Sequence, residues 1–239
     1  MKVVVGALGF GAGFGAVTSL VNAVSHRYAD LESEAATVSG ASPIEILSVM
    51  IDSGWAWAGA AVAVGWLVTR IGENRPNENR PRAGRPNENR PRVDSSRDNP
   101  LKTDRPKDHP EKNRPEALAK GAVAGVVALL AATAAYGFVD TFQSGGPYMP
   151  EHPIWWVASV VFGAPLGAAG ACAVRPGVVG LLARLVVPVG AAVQMVVLPP
   201  GRNERIVVIG QTVVWALAAI CVGFVVIRFL GGRRSAQAG

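Results

Sequence analysis

The chain has 239 residues, of which 50% are hydrophobic and only 17% charged, with a formal net charge of +6. Its mean hydropathy of +0.29 averages two materials. One is a polar, Pro-rich window over 73–116; the other is a set of apolar runs of about 18 residues or more, the length that crosses a bilayer core as a helix. A soluble domain of this size would need polar faces on its helices, and these runs have none. The charge does not point to nucleic acid. Thirteen of the 23 Lys and Arg lie between Arg70 and Arg114, interspersed with acids and without an aromatic platform or folded module, so nucleic acid is not an expected partner.

The first apolar run predicts a span over 3–24. Within it Gly9/Gly13 and Gly11/Gly15 are small-xxx-small pairs that let another helix approach closely. Two other readings compete. Gly11, Gly13 and Ala16 satisfy G-x-G-x-x-G/A, but a dinucleotide fold needs a βαβ unit and a parallel sheet, which nothing downstream offers. Lys2, the apolar stretch and Val21-Asn22-Ala23 also resemble a cleavable signal peptide; cleavage would leave five spans with the new N-terminus outside.

A second span is expected over 47–69. Beyond it the octet RPNENRPR occurs twice, at 75–82 and 85–92. The NRP triplets of this window resist helix, because each Pro disfavours helix in the residue before it. Low hydrophobicity and mixed charge predict a disordered, length-tolerant cytoplasmic linker. A docking tail, or attraction of its basic clusters to anionic headgroups, are the alternatives. Four more spans follow, at 118–139, 154–174, 178–198 and 206–230. The chain therefore divides into a first transmembrane hairpin (1–72), the linker (73–116) and a four-helix transmembrane part with a short basic C-terminal tail (117–239). Continuous rather than alternating apolar runs exclude a β-barrel. The expected fold is an all-α, polytopic membrane bundle of about six helices with one long disordered cytoplasmic loop.

Loop charge sets the orientation. Lys2, the linker, Arg175 and the C-terminal Arg228, Arg233 and Arg234 alternate with acidic connections that hold Asp30, Glu32, Glu34 and Glu45, and then Asp140 and Glu151. Both termini are thus expected in the cytoplasm. Arg202 and Arg205, beside Glu204, form the one discordant turn. Trp55, Trp57, Trp155 and Trp156 fall at the outer interface, and Trp66, near Arg70, at the inner one. Trp215 lies deeper and is expected to pack. A faint echo links Lys2 with GALGFGAG to Lys120 with GAVAGVVA, as in a duplicated hairpin.

Ionisable residues in or near spans are the functional candidates. Asp52 and Asp140 end the second and third spans on the outer side. If those helices are neighbours, the two carboxylates could share a cation or bind a polar solute; otherwise they face headgroups and water. Arg184 lies about six residues into the fifth span and can snorkel to the cytoplasmic face. Gln194, Gln211, Thr133 and Thr212 are candidates for interhelical hydrogen bonds. Pro165 and Pro188 fall inside the fourth and fifth spans. Cys172 and Cys221 lack any Cys/His spacing for a metal or redox site. His26, His109 and His152 are separated loop residues. No catalytic or cofactor motif is present, so no cofactor is expected.

The stretches GALGFGAGFGAVTSLVNAVS, WAWAGAAVAVGWLV, AATAAYGFVDTF and WWVASVVFGAPLGAAG resemble a group of small multipass integral membrane proteins of unknown function from actinobacteria of the Streptomyces type. The excess of Arg over Lys, 18 to 5, agrees with a high-GC bacterial genome. The resemblance spans most of the apolar part but not 73–116, where the usual connection is short. It implies a membrane location and no reaction or site residue.

The leading expectation is an integral protein of the bacterial inner membrane with a non-enzymatic structural or accessory role. Its partners are the lipid bilayer and a second copy or a partner subunit. The rival is a small-solute transporter or its substrate-capturing subunit, argued from size and topology alone. A lipid-acting enzyme ranks third, since it needs clustered His, Asp or Glu at one interface.

Overall fold

The computed structural model describes residues 2–28, 43–73, 114–145, 153–199 and 204–237. The expectation of disorder over 73–116 lies outside the described residues except at its edges, where Glu73 and residues 114–116 are helical instead. Those residues form helices α1 (Lys2–Tyr28), α2 (Pro43–Ile51), α3 (Gly54–Glu73), α4 (Arg114–Ser144), α5 (Pro153–Cys172), α6 (Val178–Val197) and α7 (Glu204–Gln237), with no strand among them. Five helices have the length and hydropathy to cross a membrane, and the bent pair α2–α3, taken together, meets the same criterion and brings the number to six if it is one span. The chain is an all-helical, multi-pass membrane bundle. In lipid, only a helix or a closed barrel satisfies its own backbone.

The second span is broken, not continuous. α2 and α3 meet at a 56° bend, over the triplet Asp52-Ser53-Gly54. Ser53 Oγ donates to Met50 O at 2.6 Å. The backbone N–H groups of Ala56 and Trp57 both reach Ser53 O. Serine favours a helix start, and here one sits inside an apolar run. Proline marks other boundaries. Pro43 and Pro153 are the first residues of α2 and α5, where a missing N–H is harmless. Pro199 follows the end of α6 and cannot continue it.

Glycine decides the packing. A Cβ on Gly11 or Gly15 would overlap the backbone of Ala128 or Ala132, so α1 and α4 touch main chain to main chain. The same spacing in the same order makes these helices parallel. Gly121 and Gly125 meet Gly163 and Gly167 in reverse order, so α4 and α5 are antiparallel. Gly65 and Gly170 bring α3 equally close to α5. Such approach lets dispersion and backbone dipoles replace the hydrophobic drive that lipid cannot supply. Ala7, Val64, Val68, Ala124 and Ala128 fill the space between α1, α3 and α4.

The α6–α7 pair packs on this core through a second cluster. Ala191, Met195 and Val214 are buried there against Met50 and Trp55. Gln211 Nε2 donates to Met195 O at 2.8 Å. That carbonyl's usual helical donor would be residue 199, a proline, so the glutamine caps the C-terminus of α6. Trp215, half-exposed, donates its indole N–H to Ala192 O at 3.2 Å.

The helices alternate in direction through the bundle. Val64 and Val68 of α3 lie with Ala7 of α1, while Trp57 stacks edge-on against Phe14 and Tyr136 at 5.5 and 6.2 Å. Arg70, Lys120 and Arg175 collect at the end where α1 begins. Arg70 sits 4.7 Å over the Trp66 ring, and Lys120 pairs with Glu116 at 2.6 Å. Glu45, Asp52 and Asp140 lie toward the opposite end.

Candidate functional site

The polar centre of the molecule lies where the second span breaks. Thr18, Ser19, Asn22 and Ser25 are all buried on α1, at the three- and four-residue spacing that lines one helix face. Glu45 and Ser48, three residues apart, are the buried residues of α2. These two polar stripes face each other because a side chain joins them.

Asn22 is the hub. Its Nδ2 donates to Asp52 Oδ2 and to Tyr136 Oη, both at 3.0 Å. Its Oδ1 accepts a short hydrogen bond from Ser48 Oγ. One amide thus ties α1 to α2, to the residue that follows α2, and to α4. Ser19 Oγ, three residues earlier, accepts from Gln143 Nε2 at 3.2 Å, a second bond from α1 to α4. Thr18 is satisfied within α1, donating to Phe14 O at 2.9 Å. Deeper in the bundle, Thr133 and Ser159 share a buried hydrogen bond of 3.0 Å between α4 and α5.

The residues singled out by sequence fall in several places. Asp52 belongs to the cluster although its side chain is exposed. Asp140 lies one turn beyond Tyr136 on α4 and is also exposed. α2 and α4 do not touch; α1 lies between them. Asp52 therefore reaches α4 through Asn22 and Tyr136. Arg184 is at the opposite end, where its Nε donates to Ala173 O at 2.9 Å and so caps the turn after α5. Gln194 is near the break from the other side, its amide within 3.3 Å of where a Cβ on Gly54 would stand. Gly11 and Gly15 are in the α1–α4 contact, whereas Gly9 and Gly13 have open space around them.

Asn22, Ser48 and Tyr136 escape a reading based on charge. Sequence does hold a signal for them: Thr18, Ser19, Asn22 and Ser25 form a polar stripe at helical spacing within an apolar run, and such a stripe needs partners. Who the partners are depends on residues 26 and 114 positions away, which spacing cannot reveal. Chemically the cluster offers carboxylate, amide and hydroxyl oxygens. Among the described residues no group of three His, Cys, Asp or Glu stands ready for a metal ion. Comparison with protein-family models, with curated proteins and with solved structures finds no match.

Proposed function

We propose that this chain is a non-enzymatic integral protein of a bacterial inner membrane, with a structural or accessory role exercised through a rigid helical bundle. The observation that carries the reading is the main-chain contact among α3, α4 and α5. Six glycines, Gly65, Gly121, Gly125, Gly163, Gly167 and Gly170, stand where any Cβ would overlap a neighbouring helix. Helices held at that distance cannot slide past one another without losing the contact along their length. Orientation rests on the positive-inside rule. The end that holds Arg70, Lys120 and Arg175 is cytoplasmic, together with both termini and the repeat segment. A second copy or a partner subunit is the natural protein ligand of such a bundle, since α7 leaves most of its apolar surface uncovered.

One observation favours a small-solute carrier as the second reading. The broken second span brings Asp52 and Asn22 together at a discontinuity, the device that solute sites in membranes use. Native mass spectrometry of the detergent-purified protein separates the two. The structural reading expects no organic solute beyond lipid; a stoichiometric small organic molecule would favour the carrier. The double variant Asp52→Asn, Asp140→Asn should stay folded and leave the spectrum unchanged. If it loses a bound solute while remaining folded, the structural reading fails.

A further inference from the structure

The Asn22 cluster continues outward into groups that the hydrogen bonds above leave unused. Ser25 lies three residues beyond Asn22 on the same face of α1. It is 0% exposed, and its Oγ has no hydrogen-bond partner. Glu45 lies three residues before Ser48 on the same face of α2 and is 3% exposed. Among the described residues no hydrogen bond or ion pair engages its carboxylate. α3 runs antiparallel to α1, and α2 enters it at 56°, so α2 runs largely against α1. One turn forward from Asn22 and one turn back from Ser48 are therefore the same direction. Ser25 and Glu45 fall on one side of the Asn22–Ser48 bond.

The atoms brought together there are acceptors. Ser48 has already spent its proton on Asn22, leaving lone pairs on its Oγ. Asn22 Oδ1 has a second lone pair. Its N–H groups point the other way, to Asp52 and Tyr136. Glu45 adds a carboxylate, and Ser25 adds one proton against two lone pairs. A carboxylate on a residue this buried is normally paired or bound to a cation. Oxygen-rich, nitrogen-poor sites select hard cations.

We propose that Glu45, Ser25, Ser48 and Asn22 form a binding site for a hard, oxygen-coordinated cation, sodium or calcium, at the break of the second span. Bound there, the cation neutralises Glu45 and holds α2 against α1. The site stands apart from the question of solute transport: a cation that only locks the bundle is compatible with the structural role, and failure of the site leaves that role intact.

The test is thermal unfolding of the full chain in detergent, with sodium chloride titrated against choline chloride at matched ionic strength, and calcium chloride titrated in a separate arm. The expected result is a saturable rise in the unfolding midpoint with one of the two cations. Glu45→Gln should abolish the response, and Ser25→Ala should require about tenfold more cation for the same rise. Asp140→Asn, which lies outside the site, should respond as the native chain does. Should Glu45→Gln fail to fold, the Ser25→Ala titration decides. The proposal is overturned if neither cation shifts the native midpoint, or if both site variants respond like the native chain. It is equally overturned if Glu45→Gln raises the midpoint in the absence of any cation response.

Discussion

At the residue scale, Asn22 joins three other residues through one side chain. Three hydrogen bonds converge on one amide, and each crosses to a different residue. Interhelical hydrogen bonds in membranes average only about 0.6 kcal/mol, because the separated helices also find partners. Their sum at one residue is still appreciable. Asn22→Leu, which keeps the volume and removes every bond, is expected to destabilise the protein by about 2 kcal/mol, measured by unfolding in mixed micelles. An unchanged unfolding free energy would mean that the cluster contributes nothing net. Arg184 is a smaller case. Its single bond to Ala173 O closes the turn between α5 and α6, and Arg184→Met should cost about 1 kcal/mol without altering any ligand response. The carboxylates were visible in sequence as rare charges beside apolar runs, which is why Asp52 was a candidate. Asn22 was not, because an amide is a weak hydropathy signal and its three partners lie far away in sequence.

At the element scale, glycine position explains which helices touch. Two pairs in α1, Gly9/Gly13 and Gly11/Gly15, have the same spacing and the same sequence signal. They differ by 200° around the helix axis, about twice the turn per residue, so only one pair can meet α4. Periodicity identifies that α1 can pack closely and is silent on which face does so. Gly167→Ala is expected to cost at least about 2 kcal/mol, as overpacking does, since its Cβ would overlap the carbonyl of Gly121. Gly13→Ala, with nothing within 4 Å, should stay within about 0.5 kcal/mol of the native chain. Comparable losses at both positions would contradict the described α4–α5 contact. The break in the second span was legible in principle. Asp-Ser-Gly is a breaker and helix-start signal, overridden by the hydropathy of the residues on either side.

At the scale of the whole molecule, the six apolar runs read from sequence correspond one to one with the five long helices and the bent pair. That part was legible because hydropathy over some 20 residues is a coarse quantity, insensitive to single positions. The pairing of the helices was not, because between apolar faces in lipid the choice of neighbour rests on the fit of small residues rather than on burial. The charges segregate between the two ends of the bundle. Arg70, Lys120 and Arg175 gather at one end, and Glu45, Asp52 and Asp140 toward the other, with Arg205 beside Glu204 as the exception. The account as a whole requires that these helices cross a bilayer in alternation, with the repeat segment inside the cell. The direct measurement is cysteine labelling in intact cells with a membrane-impermeant reagent, in a Cys172→Ser, Cys221→Ser background. Ser144→Cys, at the exposed end of α4, is expected to label from outside, and Arg90→Cys only after permeabilisation. Labelling of Arg90→Cys in intact cells, with Ser144→Cys protected until they are opened, would contradict the account.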